Sequence, residues 1–171
     1  MENLIQIAAT AHNDSPLDDN AWDGDLDSYY NVSVQQSGGG SVSNTIYSTH
    51  TFSVAYTIDK IVVKMYIHQW SSAGASANAS NASCKVEVYR NGAWEDVTGS
   101  TDSVSGSGNS NSSDTVDVTL EDLDLEDVTL VRASVYVYAR QDGDGGGQGA
   151  DGKIYEIEAW ADVGGGYSCI I

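Results

Sequence analysis

The sequence predicts one all-β domain, a single antiparallel β-sandwich of about eight strands. Three observations carry this. Apolar residues recur at every second position in run after run. The apolar bulk is Val, Ile and Tyr, with a single Phe. Half of the 18 Gly gather into three runs, beside a single Pro. Period two marks half-buried strands, β-branched and aromatic side chains suit a pleated surface, and 171 residues can enclose one real core.

Taken in chain order, Ile5, Ile7 and Ala9 alternate with polar or small residues, then Tyr30, Val32 and Val34, then Phe52, Val54 and Tyr56. In Lys60–Trp70 the residues Ile61, Val63, Met65 and Ile67 share one face, opposite Lys60, Lys64, Tyr66 and His68. Val86 and Val88 lead into Asn91-Gly92, a two-residue hairpin signal, with Trp94 and Val97 on the return strand. Val116, Val118 and Leu120 form another run. Val131, Ala133, Val135, Val137 and Ala139 alternate with Arg132, Ser134, Tyr136, Tyr138 and Arg140. The last strand is expected to turn Tyr155, Ile157, Ala159 and Ala161 inward, with Glu156, Glu158 and Trp160 opposite. Stretches 71–83 and 99–113, rich in Ser, Asn and Gly, read as long loops, and Glu121–Asp127 as a short helical turn. The sandwich is assigned to residues 1–163. Residues 164–171 form a glycine hinge and an apolar tail ending in Ile170 and Ile171, which can dock on this or a neighbouring subunit.

Charge narrows the function classes. Twenty-five acidic residues face seven basic ones, a net charge of −18. Nucleic-acid binding by phosphate neutralisation is excluded, as is attraction to an anionic membrane. Asp supplies 18 of the acids and Lys only four of the bases. Such a surface suits a halophilic or marine setting, where the screening length is about 3 Å at 1 M salt; solubility, or loops loaded with calcium ligands, is the other explanation. No basic leader is visible at Met1 and no segment suits membrane insertion. Cys84 and Cys169 are too few for a disulfide framework.

The stretch Asn20-Ala21-Trp22-Asp23-Gly24-Asp25-Leu26-Asp27-Ser28-Tyr29-Tyr30, the hairpin Lys85–Val97 and the strand Lys153-Ile154-Tyr155-Glu156-Ile157-Glu158-Ala159-Trp160 follow one another in a known order. They resemble the galactose-binding-like (discoidin, coagulation-factor C-type) jelly roll, found in carbohydrate-binding modules and tailed-virus structural proteins. Ser28 stands where that family usually has Thr, and Tyr30 where it has Trp. The resemblance implies a structural calcium (Ca2+) held by Asp23, Asp25 and Ser28 with Glu156 as the far ligand, a donor set that suits an oxygen-loving ion. The alternative is an Asp-Gly turn whose side chains cap their own backbone. It also implies a glycan site among Trp22, Tyr29, Trp70 and Trp94, although Trp70 and Trp94 can equally cover sheet edges, and no sugar specificity carries over.

Arg132, Tyr136, Tyr138 and Arg140 form an outward stripe, read either as an interface or as a solvated sheet face with paired tyrosines. Catalysis has no support: His12, His50 and His68 are scattered and no nucleophile motif accompanies them. The expected function is therefore a non-enzymatic structural protein of a virus particle (a capsid decoration, turret or tail component). It is expected to be a homo-oligomer or bound to other virion proteins, displayed on a virion or extracellular surface. A glycan-binding adhesion module is the alternative.

Overall fold

The computed structural model describes residues 29–72, 79–141, 146–162 and 167–169. They form nine strands: β1 (Tyr30–Gln36), β2 (Gly40–Ser71), β3 (Ala79–Arg90), β4 (Ala93–Asp96), β5 (Asp102–Ser107), β6 (Ser110–Leu120), β7 (Leu125–Gln141), β8 (Gln148–Asp162) and β9 (Tyr167–Cys169). All pairings are antiparallel. The all-β antiparallel sandwich expected from the pattern is what the chain adopts.

The 32 residues of β2 explain how one hydrogen-bonded path makes two layers. At about 3.3 Å per residue a straight strand of that length would far outreach a domain this size. It bends instead, with register shifts against β7 between Thr51 and Ile58. Its first half pairs with β7 and its second half lies between β8 and β6. One layer is thus β2–β7–β3 with β4 and β5 along the edge, and the other is β1–β8–β2–β6, with β9 paired to the end of β8. Phe52 points into the core, whereas Val54 is 57 % exposed: the bend breaks the alternation that joined Phe52, Val54 and Tyr56.

Between the layers, Ile61, Val63, Met65 and Ile67 meet Val131, Ala133, Val135 and Val137, together with Val86, Val88, Ile154 and Ile157, all shielded from solvent. β8 departs from the expected phase. Lys64 is opposite Glu156 but Met65 is opposite Ile154, so Tyr155 is an extra, bulged residue. Ile154, not Tyr155, therefore enters the core, and Glu156 is 6 % exposed.

Three further expectations are corrected. Residues 99–113 contain β5 and most of the first half of β6, and β3 begins at Ala79, inside the stretch read as a loop. These Ser-rich segments are strands because β3 and β2 supply their ladders; pairing overrides weak propensity. The Glu121–Asp127 segment is no helical turn: Asp122, Asp124 and Asp127 take φ of 56°, 47° and 57°, and β7 starts at Leu125. The Asn91-Gly92 hairpin is present as expected, both residues having positive φ (53° and 81°), as a tight right-twisting connection requires.

Register places the β1–β2, β2–β3, β5–β6 and β7–β8 connections at one end of the sandwich, since Gln36 and Ser71 both stand opposite Gln148, and Gly40 and Ala79 both stand opposite the end of β7. There the interior turns polar: Gln69, Ser71, Ser80, Gln141 and Gln148 are all buried. Ser80 donates to Gln69 Oε1 at 2.6 Å, and Gln69 Nε2 donates to Ser112 Oγ at 2.6 Å.

Candidate functional site

The outer face of the β2–β7–β3 layer follows from the same alternation that fills the core. Across it the register sets Ser43, Tyr138, Asn81 and Ser105 in one row, and Thr45, Tyr136, Ser83 and Ser103 in the next. The row after holds Tyr47, Ser134 and Lys85, followed by Thr49, Arg132 and Glu87. Directly opposed side chains in such rows sit about 5 Å apart. Tall tyrosines on β7 are thus flanked by short hydroxyl or amide side chains on both neighbouring strands.

The consequence is relief. A hollow of ≈ 580 Å³ lies along Asn81, Ser105, Tyr136 and Tyr138, and a second of ≈ 250 Å³ along Thr45, Tyr47, Ser83, Glu87, Arg132 and Tyr136. Tyr136 borders both, so they adjoin as one groove. Tyr47 is 46 % and Tyr136 37 % exposed. The Asn81 Oδ1 atom, buried beside the larger hollow, has no hydrogen-bond partner among the described residues.

One end of the groove is built from charge. Arg132 Nε donates to Glu87 Oε2 at 2.7 Å, and Lys85 Nζ donates to Glu87 Oε1 at 2.9 Å and to Asp96 Oδ1 at 2.7 Å. The Arg132 guanidinium lies 3.8 Å from the Trp94 ring centre and 4.8 Å from that of Tyr47. Burial works against ionisation of Glu87, but its bonds from Arg132 and Lys85 prevail and hold the carboxyl below its ordinary value. Lys85 is raised, first by its bond to Asp96 and then by that to Glu87. Cys84, on the inner side of β3, is a free thiol that burial pushes up to about 12.

The opposite outer face, on β1–β8–β2–β6, carries another set of rings. Tyr66, His68 and Trp70 succeed one another along β2, with centroids 6.2 and 5.3 Å apart. His68 Nδ1 lies 3.0 Å from Asp151 Oδ2, and Nε2 lies 3.0 Å from Asn111 Oδ1.

The predicted residues distribute as follows. Arg132, Tyr136, Tyr138 and Arg140 share one face, as the alternation required, and Trp94 joins them through Arg132. Tyr29 and Trp70 lie on the other face, so the glycan candidates do not form one cluster. Trp22, Asp23, Asp25, Ser28, Ile170 and Ile171 fall outside the described residues. Glu156, the remaining calcium candidate, is a buried carboxylate at the β8 bulge. Among the described residues no group of three or more His, Cys, Asp or Glu could hold a metal, and no helix is long and apolar enough to cross a membrane. Sequence reasoning missed Tyr47 and the Lys85–Glu87 pair. The outward placement of Tyr47 follows only once Ile46, Ser48 and His50 are known to turn inward, and Glu87 lies between the core residues Val86 and Val88.

Fold and face together define a β-sandwich domain with a tyrosine- and hydroxyl-lined groove on one layer. No protein-family model and no curated protein matches the chain. Among solved structures it resembles TmCBM61 in complex with beta-1,4-galactotriose, at 14 % identity over 76 % of this chain and 70 % of that one, with a TM-score of 0.32. It also resembles the VP2 subviral particle of infectious bursal disease virus, at 15 % identity over 74 % of this chain, with a TM-score of 0.31. It spans only 30 % of that viral chain. A third likeness is to carbohydrate-binding modules from the β-sandwich superfamily, at 13 % identity over 81 % of this chain and 59 % of that one, with a TM-score of 0.29. At these identities no residue role passes to this chain.

Proposed function

We propose that the domain binds glycans in the groove on the outer face of β2–β7–β3. The observation that carries this is the pair of adjoining hollows sharing Tyr136, floored by small hydroxyl and amide side chains and walled by Tyr47 and Tyr138. A sugar ring offers an apolar face for stacking and a rim of hydroxyls for hydrogen bonds. Tyrosine rings answer the first, and Ser83, Ser105, Thr45 and Asn81 answer the second. The groove is open and chain-like rather than a deep pocket, which suits an oligosaccharide laid along β7. Its charged end, where Arg132 is held between Trp94 and Tyr47, keeps the ring of Tyr47 in place for a ligand.

This reading is preferred to the particle-building role that the outward stripe also suggested. Arg132, which begins that stripe, is already engaged by Glu87, Trp94 and Tyr47 of its own chain. The calcium clasp expected from the resemblance is retained as part of the proposal, with Glu156 as its described member.

The test is titration of neutral oligosaccharides chosen from a glycan array, by calorimetry, on the wild type and on Tyr136→Ala and Tyr47→Ala. Each variant is expected to bind at least about tenfold more weakly, as for a stacking anchor. Val54→Ala, on the exposed bend of β2, is expected to bind as the wild type does. Failure of every array glycan to bind, or unchanged affinity in both tyrosine variants, rejects the reading.

A further inference from the structure

We infer that the outer face of the β1–β8–β2–β6 layer is a second ligand surface, and that it takes an anionic polysaccharide through Lys64 and Lys153. It lies on the far side of the sandwich from the tyrosine groove and goes beyond the glycan reading above. In a chain with 25 acids and only four lysines, three lysines (Lys60, Lys64 and Lys153) stand on this one face.

Lys60 is satisfied within the chain, 3.7 Å from Glu121 and 5.2 Å from the Trp160 ring. The other two are not. Lys153 Nζ lies 4.1 Å from the centre of the Tyr29 ring and 5.9 Å from that of Tyr155, and Lys64 Nζ lies 5.7 Å from that of Tyr155. Neither ammonium forms an ion pair with a described residue, although Asp117 and Glu156 stand opposite Lys64 in register. Two further carboxylates of the face are turned to other partners: Asp151 lies 3.0 Å from His68, and Glu158 accepts the Trp160 Nε1 hydrogen at 2.9 Å. Two cations therefore flank one aromatic ring.

Beside them runs the row Tyr66, His68 and Trp70. The indole of Trp70 lies against β8 because position 149 is glycine: a Cβ there would sit 2.2 Å from the ring. A row of rings beside ammonium groups that lack a carboxylate partner matches a sugar that is apolar on one face and anionic at its rim. Stacking engages the face, and charge-assisted bonds engage the carboxylate or sulfate ester. Three lysines cannot neutralise a nucleic-acid backbone against a net charge of −18. The same net charge opposes any polyanion at long range, but at physiological ionic strength the screening length is about 8 Å, which confines that opposition to the carboxylates nearest the lysines.

Native affinity electrophoresis through gels containing polygalacturonate, a sulfated galactan or neutral galactan tests this. The wild type is expected to be retarded by an acidic gel. Retardation by polygalacturonate alone assigns uronates, by the sulfated gel alone sulfate esters, and by both a general anionic site. Lys64→Ala with Lys153→Ala is expected to weaken that retention at least about tenfold, and the corresponding Lys→Arg pair to keep it. Tyr136→Ala should lose neutral-glycan binding yet keep acidic retention, so failure of one surface is distinguishable from failure of the other. The inference is overturned if no acidic gel retards the protein, if the double Ala variant runs as the wild type, or if Tyr136→Ala abolishes acidic retention too.

Discussion

Glu87 sits between two core valines on β3, is 5 % exposed, and yet is held ionised by Arg132 and Lys85. A buried carboxylate stripped of a partner is costly, typically about 3–5 kcal/mol for a fully buried pair. Arg132 keeps part of its side chain in solvent and Lys85 remains as a second partner, so Arg132→Ala is expected to cost about 2–4 kcal/mol. The pH dependence follows from sign. Because the folded value of Glu87 is depressed, its contribution is complete above the ordinary carboxylate range near ~4.3 and is lost as pH falls through the folded value. Lys85 is raised, so its share is complete below its ordinary value near ~10.4 and is lost as pH rises beyond it. The melting-temperature gap between the wild type and Glu87→Gln should therefore be widest near neutrality and should close at acid pH. A gap that persists unchanged to pH ~3 would show that the carboxylate is not what Arg132 and Lys85 hold. Tyr136, Tyr138 and Arg132 were legible as one face because the alternation of β7 is clean. Tyr47 was not, because its neighbours Asn44, Ser48 and His50 give too little apolar signal to announce a strand.

The strands divide by what their second face touches. β3 and β7 have apolar inner faces along most of their length, and their periodicity could be read directly. β5, much of β6 and the first half of β2 are Ser- and Thr-rich, and they exist as strands because neighbours supply their hydrogen bonds. Their inward positions include Gly106, Ser110 and Ser112, which serve the buried Gln69 and carry no hydrophobic mark. The bulge at Tyr155 was invisible for another reason. Both phases of β8 place apolar side chains inward, Tyr155 and Ile157 in one and Ile154 in the other, so pattern alone could not choose. Close approach at Gly152 tests the observed phase. A Cβ there would lie 2.3 Å from Val135 Cγ1 and 3.0 Å from the Tyr66 carbonyl oxygen. Gly152→Ala should therefore force the layers apart, at a cost of about 1–3 kcal/mol. Thermal melting should register this as a fall of roughly 2–10 °C for a domain of this size. If Gly152→Ala melts with the wild type, β8 does not pack against Val135 of β7 in the phase described.

At the scale of the whole molecule, charge is the term that composition made plain and the fold makes testable. A net charge of −18 on 171 residues loosens a compact state through self-repulsion, and raising salt from about 0.1 to 1 M shortens the screening length from about 10 to 3 Å. Melting temperature is therefore expected to rise with salt over that range. Glu121, Asp122, Asp124, Glu126 and Asp127 crowd the β6–β7 connection and are all exposed, so repulsion should be concentrated there. Asp122, Asp124 and Asp127 have left-handed backbones, a conformation that Asn tolerates as well as Asp does. Replacing all three with Asn removes three charges without new backbone strain. The triple variant should melt above the wild type at low salt and should respond less steeply to added salt. Running both series with and without EDTA separates self-repulsion from ion binding. A clasp through Glu156 would lower the EDTA-treated wild type at every salt concentration, and Asp25→Ala should erase that difference. A wild-type melting temperature that is flat or falling with salt would mean that the acids are paired or solvated well enough to leave no net repulsion.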